Sequence, residues 1–235
     1  MNQLNLSLRF IKNNFSSLIS FSLPWFIFSI IFIYFIIGNL ASFSENQNNP
    51  EDLIIFFQNN SFNFNIIDIF IDVLFCFFIG SLTIQFNNIY ERKSPGSFIK
   101  IAKKIYYKIP YLFISGFLSG ILVTIGLLLL ILPGIYLFGR FALFPIFIAL
   151  ENKGPIESLK DSWEYTDEFG DKLFLYTFMI GVLLFLVISI TSFLLTLSSI
   201  TAIILVPVIL FEIIIFSMIL NYIYFTLYKH LKNNN

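Results

Sequence analysis

The stretch LPGIYLFGRFALFPIFIALENKGP, residues 132–155, decides the fold class because it places one arginine, Arg140, inside an otherwise apolar run. A charged side chain near the centre of a bilayer costs about 2.5–3.5 kcal/mol, so it must pair, line water or reach an interface. The 235 residues around it are 57% apolar and only 12% charged. This composition lies outside the range of soluble globular domains and predicts a protein whose solvent is lipid.

Six apolar runs predict membrane segments, because about 20 residues of helix cross roughly 30 Å of hydrocarbon. The fourth run is short, and Pro145 should kink it by freeing the carbonyl of Phe141. It either spans or forms a re-entrant pair with the third run through a turn at Pro133-Gly134. We predict an all-α, multi-pass transmembrane bundle that forms a single integral membrane domain over residues 1–235. Its six segments are 18–37, 66–86, 110–132, 135–150, 173–197 and 202–225.

The positions of the basic residues predict the orientation of the bundle. The connection 38–65 holds three acidic residues and no basic one, whereas Lys and Arg are concentrated in the N-terminal arm, in 91–108, in 151–172 and in the tail. If the six segments alternate, every basic residue except Arg140 lies on one side. This positive-inside pattern predicts that the N- and C-termini are cytoplasmic.

Three connections on that side have the pattern of amphipathic helices, at about 3–15, 97–108 and 155–168. Each would lie at the membrane interface before two apolar segments, so the chain is either a threefold repeat or a set of ordinary interfacial connections. The helix at 97–108 is basic, and we interpret it either as a surface for anionic lipid head groups or a partner protein, or as a determinant of the orientation of the chain in the membrane. Its lysines are Lys100, Lys103, Lys104 and Lys108. The acidic helix at 155–168 is expected to face them.

A second group of charges lies inside the predicted segments. Counted from the same outer face, Asp72 and Arg140 fall at similar depth, and Asp68 lies one helical turn from Asp72. Glu212 lies near the predicted midplane without an evident basic partner. A structural interpretation pairs Arg140 with Asp72, aided by close packing at Gly116-xxx-Gly120 and Ser115-xxx-Ser119. A transport interpretation has Arg140, Asp72, Asp68 and Glu212 line a polar pathway.

The sequence carries no signature of an enzyme, a metal site or a cofactor site. Cys76 is the single cysteine and His230 the single histidine, so disulfides, Cys or His metal sites and histidine-based triads are not expected. Phosphate-binding loops and Gly-x-Ser-x-Gly elbows are missing from the sequence. The net charge of zero gives no reason to expect a nucleic-acid partner.

The motif LPGIYLFGRFALFPIFIALENKGPIESLKDSWEYT, together with FIKNNF near the N-terminus and NNPEDLIIFFQNN in the acidic connection, resembles the YciC family of bacterial inner-membrane proteins. The resemblance covers nearly the whole chain and implies six spans in the inner membrane without an established activity. The same motif is similar to the membrane region attached to some glycerophosphodiester phosphodiesterases. This chain has no catalytic barrel of that enzyme type, so hydrolase activity is not implied.

These observations lead to one expected function and one alternative. We expect a non-enzymatic, multi-pass inner-membrane protein with a structural or interaction role in the cell envelope, whose partners are the bilayer, anionic lipid head groups or other membrane proteins. The alternative is a transporter or channel-like protein for a small solute or lipid. A water-accessible cavity that reaches Asp72 and Glu212 would favour transport, and a dry bundle with Arg140 capped by Asp72 would favour the structural role.

Overall fold

The computed structural model describes residues 2–44, 50–91, 93, 96–197 and 202–234. Within these ranges every regular element is a helix, which confirms the predicted all-α class. Short turns of 3-10 helix, Tyr106–Lys108 and Asp167–Phe169, join consecutive helices at two places. The helices are α1 (Asn2–Asn13), α2 (Phe15–Ser44), α3 (Pro50–Tyr90), α4 (Phe98–Ile105), α5 (Ile109–Leu129), α6 (Ile131–Phe141), α7 (Phe144–Glu151), α8 (Pro155–Tyr165), α9 (Gly170–Leu197) and α10 (Ala202–Asn234).

Five helical stretches in the described part of the chain are long and apolar enough to cross a membrane. The fourth apolar run is included, because α6 and α7 together reach that length. The first predicted segment is represented by a shorter apolar stretch, Phe15–Ile31. The protein is therefore a helical membrane protein with several candidate spans, and the sixth span stays a prediction. The five stretches are Ile69–Tyr90, Phe98–Leu129, Ile131–Glu151, Asp167–Leu194 and Pro207–Asn233.

The hairpin between α5 and α6 turns at a different residue from the one expected. Leu130 is the extended residue between the helices, with φ −162° and ψ 147°, and Pro133-Gly134 lies within the first turn of α6. Proline is tolerated there because the first N–H groups of a helix have no intrahelical acceptor. Gly134 lets the two helices approach closely, since a Cβ at this position would lie 2.7 Å from the backbone nitrogen of Leu127.

The close packing that we expected at Gly116-xxx-Gly120 is not found. A Cβ on Gly116 would make only ordinary contacts, the nearest at 3.8 Å, and a Cβ on Gly120 would have no neighbour within 4 Å. The tight approach instead lies one to two turns further along α5, where a Cβ on Gly126 would be 2.9 Å from the Cα of Gly134.

The ends of several helices meet at one end of the bundle. Glu151 at the end of α7 accepts a hydrogen bond from Lys232 of α10 at 2.6 Å, and Lys229 lies 3.7 Å from Glu91, which follows α3. Near the same helix end, Lys108 donates to the backbone carbonyl of Ala149 at 2.6 Å. The connections that the topology prediction placed on one side thus lie together. Which compartment they face stays a prediction.

Candidate functional site

The fourth apolar run is interrupted between α6 and α7, close to Pro145 as expected. The hydrogen-bonding groups that the break leaves free are taken up by α8. The hydroxyl of Ser162 donates to the carbonyl of Arg140 at 2.8 Å and accepts from the backbone N–H of Leu143 at 3.1 Å. The hydroxyl of Thr166 lies 3.1 Å from the same Arg140 carbonyl and 2.7 Å from the carbonyl of Ser162, and shares its proton between them. From the position of Pro145, the free carbonyl was expected at Phe141. The carbonyl that accepts the hydrogen bonds from α8 is instead that of Arg140.

The guanidinium of Arg140 is buried, with 1% of the residue exposed, and is bound to the C-terminal end of α8. One terminal nitrogen donates to the carbonyl of Thr166 at 2.8 Å, and the other donates to the carbonyl of Trp163 and the carboxylate of Asp167, both at 2.8 Å. The indole ring of Trp163 lies 4.2 Å from the guanidinium carbon. A cation at the C-terminus of a helix also interacts favourably with the helix dipole. Arg140 therefore joins α6 to α8.

The expected ion pair between Arg140 and Asp72 is wrong. Arg140 pairs with Asp167, whose side chain is 78% exposed, whereas Asp72 lies on an exposed position of α3. The prediction considered only oppositely charged side chains as partners for Arg140 and did not consider backbone carbonyls. The break beside Arg140 instead brings the end of a neighbouring helix within reach, and its carbonyls serve as acceptors. A sequence pattern does not reveal which helix end approaches the break.

The other two members of the predicted polar cluster are also not brought to Arg140. One carboxylate oxygen of Glu212 accepts a hydrogen bond from Thr191 of α9 at 2.7 Å, and the other is buried without a partner among the described residues. Asp68 belongs to α3, but its side chain lies outside the described residues. The structure therefore gives Arg140, Asp72 and Glu212 three separate environments.

A stripe of hydroxyl residues forms the buried face of α8 and its C-cap; these residues belong to the sequence motif, but no structural role was predicted for them. Ser158, Ser162 and Thr166 are each 0% exposed, and Ser158 lies 3.3 Å from the hydroxyl of Ser115 on α5. The sequence predicts an apolar face of Ile156, Leu159 and Trp163, and this face is only partly buried, since Ile156 is 75% exposed. The signal available in the sequence was the four-residue spacing of small hydroxyl residues, which allows close helix packing and interhelical hydrogen bonds. α8 is thus packed into the bundle through α5, α6 and α7.

The basic helix is only partly as predicted. Lys100, Lys103 and Lys104 are exposed on α4, while Ile101 and Ile105 are buried against the bundle. Lys108 does not belong to the exposed set: it is 5% exposed and bound to the end of α7. A contact between the exposed lysines and lipid head groups stays a prediction.

The acidic face of α8 pairs with other cations than those expected. Asp161 forms an ion pair with Lys153, and Glu164 lies 3.7 Å from Lys160 on its own helix. Partial burial alone would lower the pKa of Lys153, but the hydrogen bond and charge of Asp161, with the nearby Glu151, raise it above its usual range. The ion pairs that α8 makes in the described part of the chain go to these lysines and, through Asp167 just after its end, to Arg140, and the expected pairing with α4 is wrong.

A large groove runs between α3, α5, α6, α7 and α10. Its volume is about 770 Å³, within the range of sites that hold small molecules, and most of the residues that line it are apolar. Along α5 it extends from Leu112 to Ile125, about 20 Å at the rise of a helix. Asp72 is the charged residue among those that line it, and Arg140 and Glu212 are not part of its described lining.

Among the described residues, no three His, Cys, Asp or Glu side chains lie together as a group that could hold a metal ion. Comparisons with protein-family models, with curated proteins and with solved structures found no match to this chain. The resemblance to the YciC family therefore stays a prediction from the motif.

Proposed function

We propose that this chain is a non-enzymatic, six-segment protein of the bacterial inner membrane with both termini in the cytoplasm and a structural role in the cell envelope. In this role it presents a fixed arrangement of helices to the bilayer and to other membrane proteins. The proposal combines the helical membrane architecture with the positive-inside distribution of lysines and the motif that resembles the YciC family.

The environment of Arg140 is the observation that carries the structural role. In a transport pathway, an intramembrane arginine is expected to face water or a substrate. Here its terminal nitrogens bind two backbone carbonyls and one carboxylate at the end of α8, and its exposure is 1%. An arginine used in this way stabilises helix packing, and its charge is not available to a passing solute.

Transport of a small solute or a lipid is the second candidate, and the groove favours it because it reaches Asp72. The same groove argues against a polar solute. Its lining is mainly apolar and does not include Glu212, so in the described part of the chain it does not connect the carboxylates into a polar route.

Complementation of a deletion strain separates the two candidates. We expect Glu212→Gln to restore resistance to detergents as well as the wild type does, because a glutamine can still accept the hydrogen bond from Thr191. The matched control is Glu157→Gln, which replaces an exposed carboxylate on α8. If Glu212→Gln accumulated normally but failed to complement while Glu157→Gln succeeded, the structural role would be wrong and a pathway through Glu212 would be favoured.

The topology can be tested with an impermeant maleimide in a Cys76→Ser background. We expect Asn48→Cys to be labelled from outside intact spheroplasts and Lys93→Cys to be labelled only after lysis. Labelling of both positions from the same side would contradict the six-segment topology.

A further inference from the structure

We propose that the groove binds one acyl chain of a membrane phospholipid whose head group carries an amine, with the amine beside Asp72. This proposal goes beyond the structural role given above and does not depend on it. The argument rests on the shape of the groove, on the chemistry of its wall and on the position of its one charged lining residue.

The shape of the groove suits a long, thin and flexible ligand. It follows α5 for about 20 Å, more than the roughly 15 Å thickness of one hydrocarbon leaflet. α5 is close to its neighbours at Gly116, where a Cβ would lie 3.8 Å from the sulfur of Cys76, but it has no neighbour within 4 Å of a Cβ at Gly120. Phe75 and Phe117, which line the groove, are 51% and 61% exposed, so it opens to the surface that lipid would cover.

The wall of the groove is less polar than its composition suggests, because three of its polar side chains are bound within the protein. Ser119 donates to the carbonyl of Gly116 at 3.0 Å, and Asn221 donates to the carbonyl of Ser217 at 2.8 Å. The hydroxyl of Tyr224 lies 2.7 Å from that of Thr177 on α9. What the groove presents to a ligand is therefore mainly hydrocarbon, which favours an acyl chain over a polar solute.

Asp72 gives the α3 wall of the groove a negative charge one helical turn beyond Cys76. No basic side chain among the described residues lies within ion-pair distance of it. It lies 18 residues before Tyr90 on α3, which is about 27 Å of helix away from the lysine-rich end of the bundle. That distance places Asp72 in the half of the membrane opposite the lysine-rich end, about 9 Å of helix inside the predicted segment boundary at residue 66. A cationic amine is the head-group chemistry that complements it.

The phospholipid thus belongs to the leaflet on the side opposite the exposed lysines of α4. Because Cys76 lies beside Gly116 and Gly80 beside Leu112, Asp72 lies near the level of Gly120 on α5. With its amine at Asp72, the phospholipid runs its acyl chain inwards along α5 from that level towards Leu112. A phospholipid from the other leaflet would place its chain in the reverse direction, and a helix from a second copy of this protein would fill the groove without any lipid.

Photo-cross-linking in nanodiscs of phosphatidylglycerol tests the proposal. The probes are phosphatidylethanolamine and phosphatidylglycerol at equal mole fraction, each with a diazirine at the end of one acyl chain. We expect the ethanolamine probe to label α5 near Leu112 and Gly116 and to label the wild type about fivefold more than the glycerol probe, equivalent to about 1 kcal/mol. Labels concentrated near Ile125, or no labelled peptide in the groove, would overturn the proposal on the wild-type protein alone.

Two variants, one of them with a matched control, extend the test. Gly120→Phe should fill the groove and reduce labelling several-fold, while Gly181→Phe, an exposed glycine of α9 that also has no neighbour within 4 Å of a Cβ, should leave it unchanged. Asp72→Asn should bring the two probes to equal labelling. Unchanged labelling in Gly120→Phe, or a change from dimer to monomer in that variant, would contradict a lipid-filled groove. Neither result would affect the complementation test of Glu212.

Discussion

Arg140 and Asp72 were expected to share one environment, and they differ in almost every respect. Arg140 is buried, with its terminal nitrogens hydrogen-bonded to the end of α8, and the helices around it pack closely. Asp72 is exposed and lines an open groove without a basic partner in the described part of the chain. The difference teaches that the partner of an intramembrane charge is decided by the nearest break in helical hydrogen bonding as much as by the nearest opposite charge.

The largest effect is expected from removing the guanidinium of Arg140. Arg140→Met should remove the charged donor from the carbonyls of Trp163 and Thr166, which keep neutral donors at 3.2 Å, the hydroxyl of Thr166 and the N–H of Phe169. Hydrogen bonds from a charged group contribute about 1.5–3 kcal/mol each, so we expect a loss of about 2–4 kcal/mol in unfolding free energy. The measurement is reversible unfolding in mixed micelles with increasing dodecyl sulfate. Asp72→Asn is the comparison in the open region and should change the unfolding free energy by less than about 0.5 kcal/mol, as exposed substitutions do. Equal losses in the two variants would remove the contrast between the regions.

A smaller effect is expected from crowding the close-packed region. Gly134→Ala would push a Cβ to 2.7 Å from the backbone nitrogen of Leu127 and closer still to its Cγ. The hairpin must then separate, and we expect a loss of about 1–3 kcal/mol in the same unfolding assay. Gly120→Ala, in the open groove, should be neutral or slightly stabilising because alanine has the higher helix propensity. A destabilised Gly120→Ala would show that the groove is closed.

The smallest of these effects is expected at the helix break. Ser162→Ala removes the donor to the Arg140 carbonyl and the acceptor for the N–H of Leu143, but Thr166 still binds that carbonyl. We expect a loss of about 1–2 kcal/mol, mainly from the orphaned N–H of Leu143. Ser189→Ala is the control, since Ser189 is exposed and bonds only the carbonyl of Phe185 on its own helix. Equal stability of the two variants would argue against α8 as the cap of the break.

Much of the fold could be predicted from the sequence because lipid imposes simple rules on length and polarity. The apolar runs, the break near Pro145 and the shared end of the basic connections follow from those rules. The partner of Arg140 could not be predicted, because it depends on how α8 is placed in three dimensions. The same holds for Lys108, which the helical pattern assigned to the exposed face. It lies in a 3-10 turn after α4, where the periodicity changes.

The groove could not be predicted from the sequence for a related reason. Gly116 and Gly120 have the spacing of a close-packed interface, and spacing alone does not show whether a neighbouring helix is present. Here α5 packs tightly at Gly126 and lies open at Gly120. A glycine pattern in a membrane helix therefore identifies a smooth surface, and the neighbouring helices decide whether that surface is packed or left as a groove.

The charge exchange Arg140→Asp with Asp72→Arg is the most direct test of the central claim that the end of α8, and not Asp72, holds Arg140. Unfolding free energies of the wild type, the two single variants and the double variant complete the cycle. The structure predicts that the double variant is no more stable than Arg140→Asp alone, because the partners of Arg140 are the carbonyls of Trp163 and Thr166 and the carboxylate of Asp167, and not the side chain at position 72. Recovery of the double variant to near wild-type stability would contradict this assignment and restore the ion pair between Arg140 and Asp72.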